Sequence, residues 1–268
     1  MKTETCLVTN NQSNLYSDYR PVYPDKFMKL SSDATLNHNV ALDIGCGTGQ
    51  ISLPLSKKYN QVFGIDVSES QLEIARNKIL GKDEYSNIEY AYANSHDLEE
   101  FWTQKMNKQK VDLVTFGQSL HWLDYDLLFK SYQKYMAEGG AMAIFSYGTC
   151  KIVDPNVLEQ VNHNVEAGIA TGTRNQLDTE FEKIESHGVK MDKEYTDKEV
   201  EANDLFQKYY ASIKPHIKFN LDDLDNHYSH INFSDYFSDV KRYLYYDVKE
   251  DMLISHFIQF LRSMSGYR

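Results

Sequence analysis

Cysteine, positive charge and long apolar stretches are what this chain has least of. Of its 268 residues three are Cys, namely Cys6, Cys46 and Cys150, with no CxxC pair. An odd number at wide spacing builds neither a disulfide framework nor a thiolate zinc site, and it points to a reducing compartment. Lys and Arg number 28 against 39 Asp and Glu, a formal charge of −11. Nucleic-acid binders neutralise phosphates with basic patches, and anionic lipids attract polybasic segments, so neither is expected as the main partner. No apolar run approaches the ~20 residues that cross a bilayer. Residues 1–14 are polar, are expected to be mobile, and lack the apolar region of a secretory signal. A cytoplasmic protein with no membrane partner is the expectation. His227 and His230 have no acid or Cys at a recognised metal spacing, so they read as a solvated face and no metal is expected.

What is present is ordinary globular material, 41% hydrophobic and 25% charged, with 20 Tyr that suit pockets for small organic ligands. Apolar runs alternate with helical patterns. Strands are predicted at Val40–Ile44, Val62–Ile65, Ile88–Ala93, Val111–Phe116 and Ala141–Ser146. Helices are predicted between them: over 49–58, where Pro54 is awkward; after Ser68, with Ser68 as N-cap and Gln71 reaching back; and over Tyr125, Leu128, Tyr132 and Tyr135, stopped by Glu138-Gly139-Gly140. A further short helix can open at Pro24-Asp25-Lys26-Phe27. Strands alternating with helices predict an α/β fold: a doubly wound, mostly parallel, Rossmann-like sheet whose ligand sits at the carboxyl ends of the strands. Residues 150–235 are polar and read as a helical insertion that covers those ends as a lid. A sixth strand over Lys241–Val248 and a helix over 249–262 are expected to follow. The organisation is then an N-terminal covering segment at 1–32, a core at 33–149 and 236–268, and the insertion at 150–235; there is no internal repeat.

The first strand runs into Gly45-Cys46-Gly47-Thr48-Gly49, and Asp66 closes the second strand 21 residues after Gly45. Strand, glycine loop, helix and distant acid form the nucleotide-binding arrangement, in which the acid accepts hydrogen bonds from ribose hydroxyls. A dinucleotide site needs G-x-G-x-x-G, but Gln50 stands where the third glycine would fall. The observed GxGxG suits a nucleoside without a pyrophosphate. The blander reading is a glycine-rich turn with no ligand.

These segments resemble class I S-adenosylmethionine-dependent methyltransferases, and more narrowly the group that includes the trans-aconitate methyltransferases. The resemblance lies in Asp43 to Gly49, in Gly64-Ile65-Asp66-Val67-Ser68, in Val111 to Trp122 with its terminal His-Trp, in Gly139 to Ile144 with Tyr147-Gly148, and in Tyr19-Arg20-Pro21-Val22-Tyr23-Pro24. It implies S-adenosylmethionine as cofactor and a small-molecule methyl acceptor. It also implies roles. Gly45, Cys46 and Gly47 would contact the methionyl part through their backbone, with Asp43 near its amino group. Arg20, beside Tyr19, would pair with its carboxylate. Asp66 and Val67 would hold ribose and adenine, Ser95 and His96 the adenine edge, and Gln118 would lie beside the methionyl group. The position of Cys46 in a tight loop suits a small residue rather than a nucleophile. His121 is the candidate for substrate chemistry, orienting a carboxylate or taking a proton; a structural His capping the next turn is the equal alternative. Trp122 reads as a pocket wall.

Methyl transfer of this kind is mainly a positioning task. A carboxylate acceptor needs no general base, and an anionic acceptor would need local positive charge from Arg174, Lys151 or Arg242. Two other classes stay open: a nicotinamide-dependent oxidoreductase, against which Gln50 counts, and a non-catalytic cofactor-binding module. The latter draws on the family's pattern, which continues past Ser265-Gly266-Tyr267 into another strand, whereas the sequence stops at Arg268.

Overall fold

The structure, a computed structural model, describes residues 10–23, 25–95, 98–147, 197–219, 221–225, 228–242 and 254–264. Five strands, β1 Val40–Ile44, β2 Gln61–Asp66, β3 Ile88–Tyr92, β4 Val111–Gly117 and β5 Met136–Phe145, form one sheet in the order β3-β2-β1-β4-β5. All four pairings are parallel. β1 is buried throughout and β4 in all but its last residue, as expected of strands covered on both faces. Alternate residues of β1 feed two cores. Val40, Leu42 and Ile44 join Phe116 and Phe129 on one face, while Ala41 joins Val62, Leu72 and Leu113 on the other. The chain runs outward from β1 to β2 and β3, then returns to β4 on the other side. The switch point therefore lies between β1 and β4, and the crevice opens at their carboxyl ends.

The helices of this unit are α1 Asn10–Tyr19, α2 Asp25–Asp33, α3 Ser52–Leu55, α4 Glu69–Ile79, α5 Leu98–Gln104 and α6 Tyr125–Tyr132. Several differ from expectation. α1 begins inside the polar segment. Its propensity is poor, but Ser13 is fully buried and its hydroxyl bonds the Ser70 hydroxyl at 3.1 Å, so tertiary contact outweighs propensity. α3 is shorter than 49–58. Pro54 occupies its third position, where the missing N–H has no intrahelical partner, and the chain beyond Leu55 continues as turns. Ser68 takes the N-cap position of α4 without a side-chain cap; its hydroxyl bonds Ser70 instead at 3.1 Å. Gln71 does not reach back either. Its Oε1 lies 2.7 Å from the point where a Cβ on Gly47 would sit. Gly139-Gly140 does not stop α6, which ends at Tyr132. The pair lies inside β5, where the register slips between Val111↔Met136 and Leu113↔Ala141, as at a β-bulge.

Three more helices are α7 Asp197–Ile213, α8 Leu221–Asp225 and α9 Ile254–Arg262. α7 and α9 pack with α1 in a third core of Phe206, Tyr210, Ile213, Phe260 and Met264, joined by Tyr19. Tyr209 Oη donates to Leu261 O at 2.7 Å across it. Tyr228, Ile231 and Phe233 instead pack on the β-sheet core. The expected sixth strand and most of the insertion fall outside the described residues; Lys241 and Arg242 belong to no strand. Among the described residues no helix is long and apolar enough to cross a membrane.

Candidate functional site

The floor of the crevice is the loop after β1. Gly45 has φ 65°, and a Cβ there would stand 2.6 Å from Ser119 Cβ in the loop after β4, so only glycine lets the two loops close on each other. The loop's N–H groups turn inward. Gly45 and Cys46 both donate to Ile65 O at 2.9 and 3.0 Å, Gly47 donates to Asp66 Oδ2 at 2.9 Å, and Gly49 donates to Cys46 O at 2.9 Å. A phosphate nest needs such groups aimed at the ligand. With these four engaged, a free carbonyl oxygen of the loop would suit an ammonium group.

Asp66 ends β2 with its carboxylate anchored, Oδ1 accepting from Ser68 N at 2.8 Å and Oδ2 from Gly47 N. Each oxygen keeps a further lone pair for a ligand hydroxyl. Burial pushes its pKa up, and the Gly47 and Ser68 backbone donors oppose that. Asp43 lies under the loop, almost fully buried; Ser52 Oγ donates to its Oδ2 at 2.6 Å and Thr115 Oγ1 to its Oδ1 at 2.8 Å. Both oxygens thus stitch β1 to α3 and β4. Burial raises its pKa to about 6 against the pull of those hydroxyls. Cys46 is buried, and burial drives its thiol well above the usual range, so it is no thiolate nucleophile.

The far wall follows β4. Gln118 adopts φ 52°; its N donates to Phe145 O at 2.9 Å and its Nε2 to Tyr147 O at 2.7 Å. Ser119 Oγ donates to Ile44 O at 2.7 Å, tying this wall to the floor. His121 is buried, with Nδ1 2.8 Å from Tyr228 Oη and its ring centroid 4.2 Å from that of Phe219. Burial, then the Arg20 charge, lowers its pKa to about 3, so the ring is neutral near pH 7. Trp122 is partly exposed beside Phe219, at 4.6 Å between centroids. On the β2–β3 side Val67 and Tyr92 present exposed apolar surface. Ser95 is buried and its carbonyl accepts from Tyr132 Oη at 2.9 Å. His96 lies outside the described residues.

The roof centres on Arg20, just past α1. Its Nη1 donates to Tyr147 Oη at 3.3 Å and its Nη2 to Ser263 O at 3.1 Å. The guanidinium stands over the rings of Tyr16, Phe260 and Tyr147 at 5.2, 5.8 and 6.0 Å. Burial lowers its pKa, but Tyr147 and Tyr16 more than offset this. Its Nε is buried without a hydrogen-bond partner, and among the described residues no carboxylate pairs with it. A charged donor left over in a buried position fits an incoming carboxylate. Tyr19 turns from Arg20 into the helical core, edge-on to His256 at 5.3 Å.

Tyr16, Tyr147, Ser263, Phe219 and Tyr228 are the site residues that sequence reasoning missed. Tyr16 lies on α1 four residues before Arg20, which stands just past the end of that helix, and the polar segment carried no helical pattern to point to it. Tyr228 had no signal either, because its bond to His121 spans 107 residues. Arg242, expected as a source of positive charge for the acceptor, is engaged elsewhere: its Nη2 donates to Ile231 O at 3.1 Å and its guanidinium covers Phe233. Lys151 and Arg174 lie outside the described residues.

Known proteins share this arrangement of sequence. A family profile described as a methyltransferase domain matches residues 36–203, more than half the chain. A protein named as a methyltransferase in Dictyostelium discoideum is 28% identical over 151 residues, covering 56% of this chain and 52% of its own. A protein named as an S-adenosylmethionine-dependent methyltransferase in Saccharomyces cerevisiae is 27% identical over 158 residues, covering 58% and 52%. A ubiquinone biosynthesis O-methyltransferase of Pelagibacter ubique is 32% identical over 119 residues, covering 44% and 46%. The chain spans about half the length of these relatives.

Proposed function

The chain belongs to the class I S-adenosylmethionine-dependent methyltransferases, and we propose that it transfers a methyl group to an oxygen of a small organic acceptor, with a carboxylate as the first candidate. The observation that carries this reading is the buried Nε of Arg20, without a partner among the described residues. The cofactor's two polar ends match the two sides of the crevice. Arg20 offers a guanidinium for the methionyl carboxylate, and the loop at 45–47 offers carbonyl oxygen for the ammonium. Asp66 offers acceptors to the ribose, with Val67 and Tyr92 as apolar surface for the base. Gln118, held by Tyr147 O, would border the methionyl chain. When bound, the cofactor supplies a methyl group on a sulfonium sulfur that departs as a neutral thioether.

The protein's part is to align and enclose. Asp43, Ser52 and Thr115 brace the floor from beneath. Tyr16, Tyr23 and Tyr147, the first two with phenols held protonated by burial, close the roof. His121, neutral and within the field of the Arg20 charge, is the polar side chain that would meet the acceptor. The O-methyltransferase name of the Pelagibacter relative favours oxygen as the acceptor atom. The inward-turned loop N–H groups weigh against a pyrophosphate cofactor and so against the oxidoreductase reading.

Calorimetric titration with S-adenosylhomocysteine and with NAD, followed by turnover on panels of carboxylic acids, phenols and amines, tests the proposal. Binding of the first alone and methyl esters from the acids are expected. Tight NAD binding would overturn the cofactor assignment, and full binding without turnover on any acceptor would turn the reading to a non-catalytic module.

A further inference from the structure

His121 and Tyr228 form a pair that the cofactor reading leaves unused. Tyr228 and Phe219 lie beyond the residues 36–203 matched by the family profile, yet they enclose the ring that ends the β4 wall. Tyr228 is 4% exposed, and its hydroxyl has His121 Nδ1, at 2.8 Å, as its hydrogen-bond partner among the described residues. His121 is 7% exposed, and its Nε2 makes no hydrogen bond among the described residues.

Two proton arrangements fit the 2.8 Å contact. If Nδ1 carries the imidazole proton and donates to the phenol oxygen, the phenol's own proton has no acceptor among the described residues and bears the desolvation cost of a buried donor. If the phenol donates to Nδ1, its proton is satisfied and the imidazole proton moves to Nε2, which has no other partner among the described residues.

We propose that Tyr228 is a positioning residue whose hydroxyl donates to His121 Nδ1 and holds the imidazole as the Nε2–H tautomer, making His121 a hydrogen-bond donor to an anionic acceptor oxygen and not a base. This rests on the methyltransferase reading and narrows its acceptor to one that arrives deprotonated, a carboxylate. The oxygen-to-methyl bond then forms as the methyl-to-sulfur bond breaks, and that bond's electron pair stays on sulfur. The acceptor loses its negative charge and no proton is released, so no base is called for. A neutral donor within the field of the Arg20 charge is the environment such an oxygen needs; a phenol, alcohol or ammonium substrate would meet a site that cannot take its proton.

The tautomer is read directly from imidazole 15N shifts of the full chain with S-adenosylhomocysteine, without knowing the acceptor. The expected spectrum has a protonated Nε2 and a bare Nδ1, with Tyr228→Phe mixing the two tautomers while leaving S-adenosylhomocysteine affinity within about twofold. Under turnover on a carboxylic acid, Tyr228→Phe should lower kcat roughly tenfold or more with KM little changed. A protonated Nδ1 in the wild type, or an unchanged tautomer in Tyr228→Phe, overturns the pairing. Should Tyr228→Phe fail to fold, the wild-type spectrum still decides. Turnover of phenols or amines with none of acids overturns the acceptor class. No S-adenosylhomocysteine binding by the wild type would mark failure of the methyltransferase reading itself, separately from the tautomer.

Discussion

The floor and the roof of the crevice are built in opposite ways. The floor comes from one short stretch: Asp43, the glycine loop and Asp66 all lie within β1, β2 and the turns between them, and they bond mostly to one another. The roof is gathered from the whole length of the chain, with Arg20 after α1, Tyr147 after β5, Ser263 after α9 and Tyr228 after α8. A floor of this kind is specified locally by backbone geometry. The roof exists only once the helical core of α1, α7 and α9 has assembled, so its geometry is a tertiary property.

The sharpest way to break the floor alone is Gly45→Val. The residue would be forced to φ 65° with its Cβ 2.6 Å from Ser119. Strain and clash together should cost about 2–4 kcal/mol of stability in urea titrations and abolish S-adenosylhomocysteine binding. Gly81 has φ 71° with no atom near a Cβ, so Gly81→Ala should show the strain alone, about 1–2 kcal/mol. Equal losses at both sites would mean that the loop-to-loop contact is not tight.

Arg20→Ala tests the roof. It removes a charged donor facing the cofactor and two anchors between α9 and β5, and S-adenosylhomocysteine affinity should fall by about 1.5–3 kcal/mol. Arg20→Lys should recover little, because a single ammonium cannot serve Tyr147, Ser263 and a carboxylate together. Unchanged affinity by calorimetry in Arg20→Ala would confine the cofactor to the floor. Asp66→Ala is the matching probe on the other side, at about 1–3 kcal/mol if its carboxylate meets the ribose; no change would remove Asp66 from the site.

The same division governs what the sequence discloses. Strand positions and the switch point follow from continuous apolar runs such as Val111–Phe116, and the loop follows from its glycine spacing, because both signals are local. Local signals also mislead. Gly139-Gly140 reads equally well as a helix stop or as a bulge, and only the pairing of β5 with β4 decides. The tyrosine facing Arg20 is Tyr16 rather than Tyr19, which depends on a helix whose Asn, Gln and Ser gave no sign of it. The His121–Tyr228 bond carries no pattern at all, since nothing periodic relates residues so far apart.

Floor and roof should also respond to acid in opposite senses. His121 belongs to the wall beneath the roof, with a native pKa of about 3 against about 6.5 in the unfolded chain. Between these values the unfolded state binds the extra proton, so stability contributed by the neutral ring is whole above pH 6.5 and drains away as pH falls toward 3. Asp43 belongs to the floor, with a native pKa of about 6 against about 3.9 unfolded. Between these the native state holds the extra proton, so stability falls as pH rises from about 4 to about 6. The two slopes oppose each other over pH 4–6 and flatten the wild-type profile there. His121→Phe keeps a ring in place and removes the first slope, so relative to the wild type its urea midpoint should rise as pH falls from 6 to 4. Asp43→Asn removes the second and should make the acid loss steeper. Parallel profiles for wild type and His121→Phe would mean that folding leaves the ring's pKa near its unfolded value, and burial would then not be what holds His121 neutral.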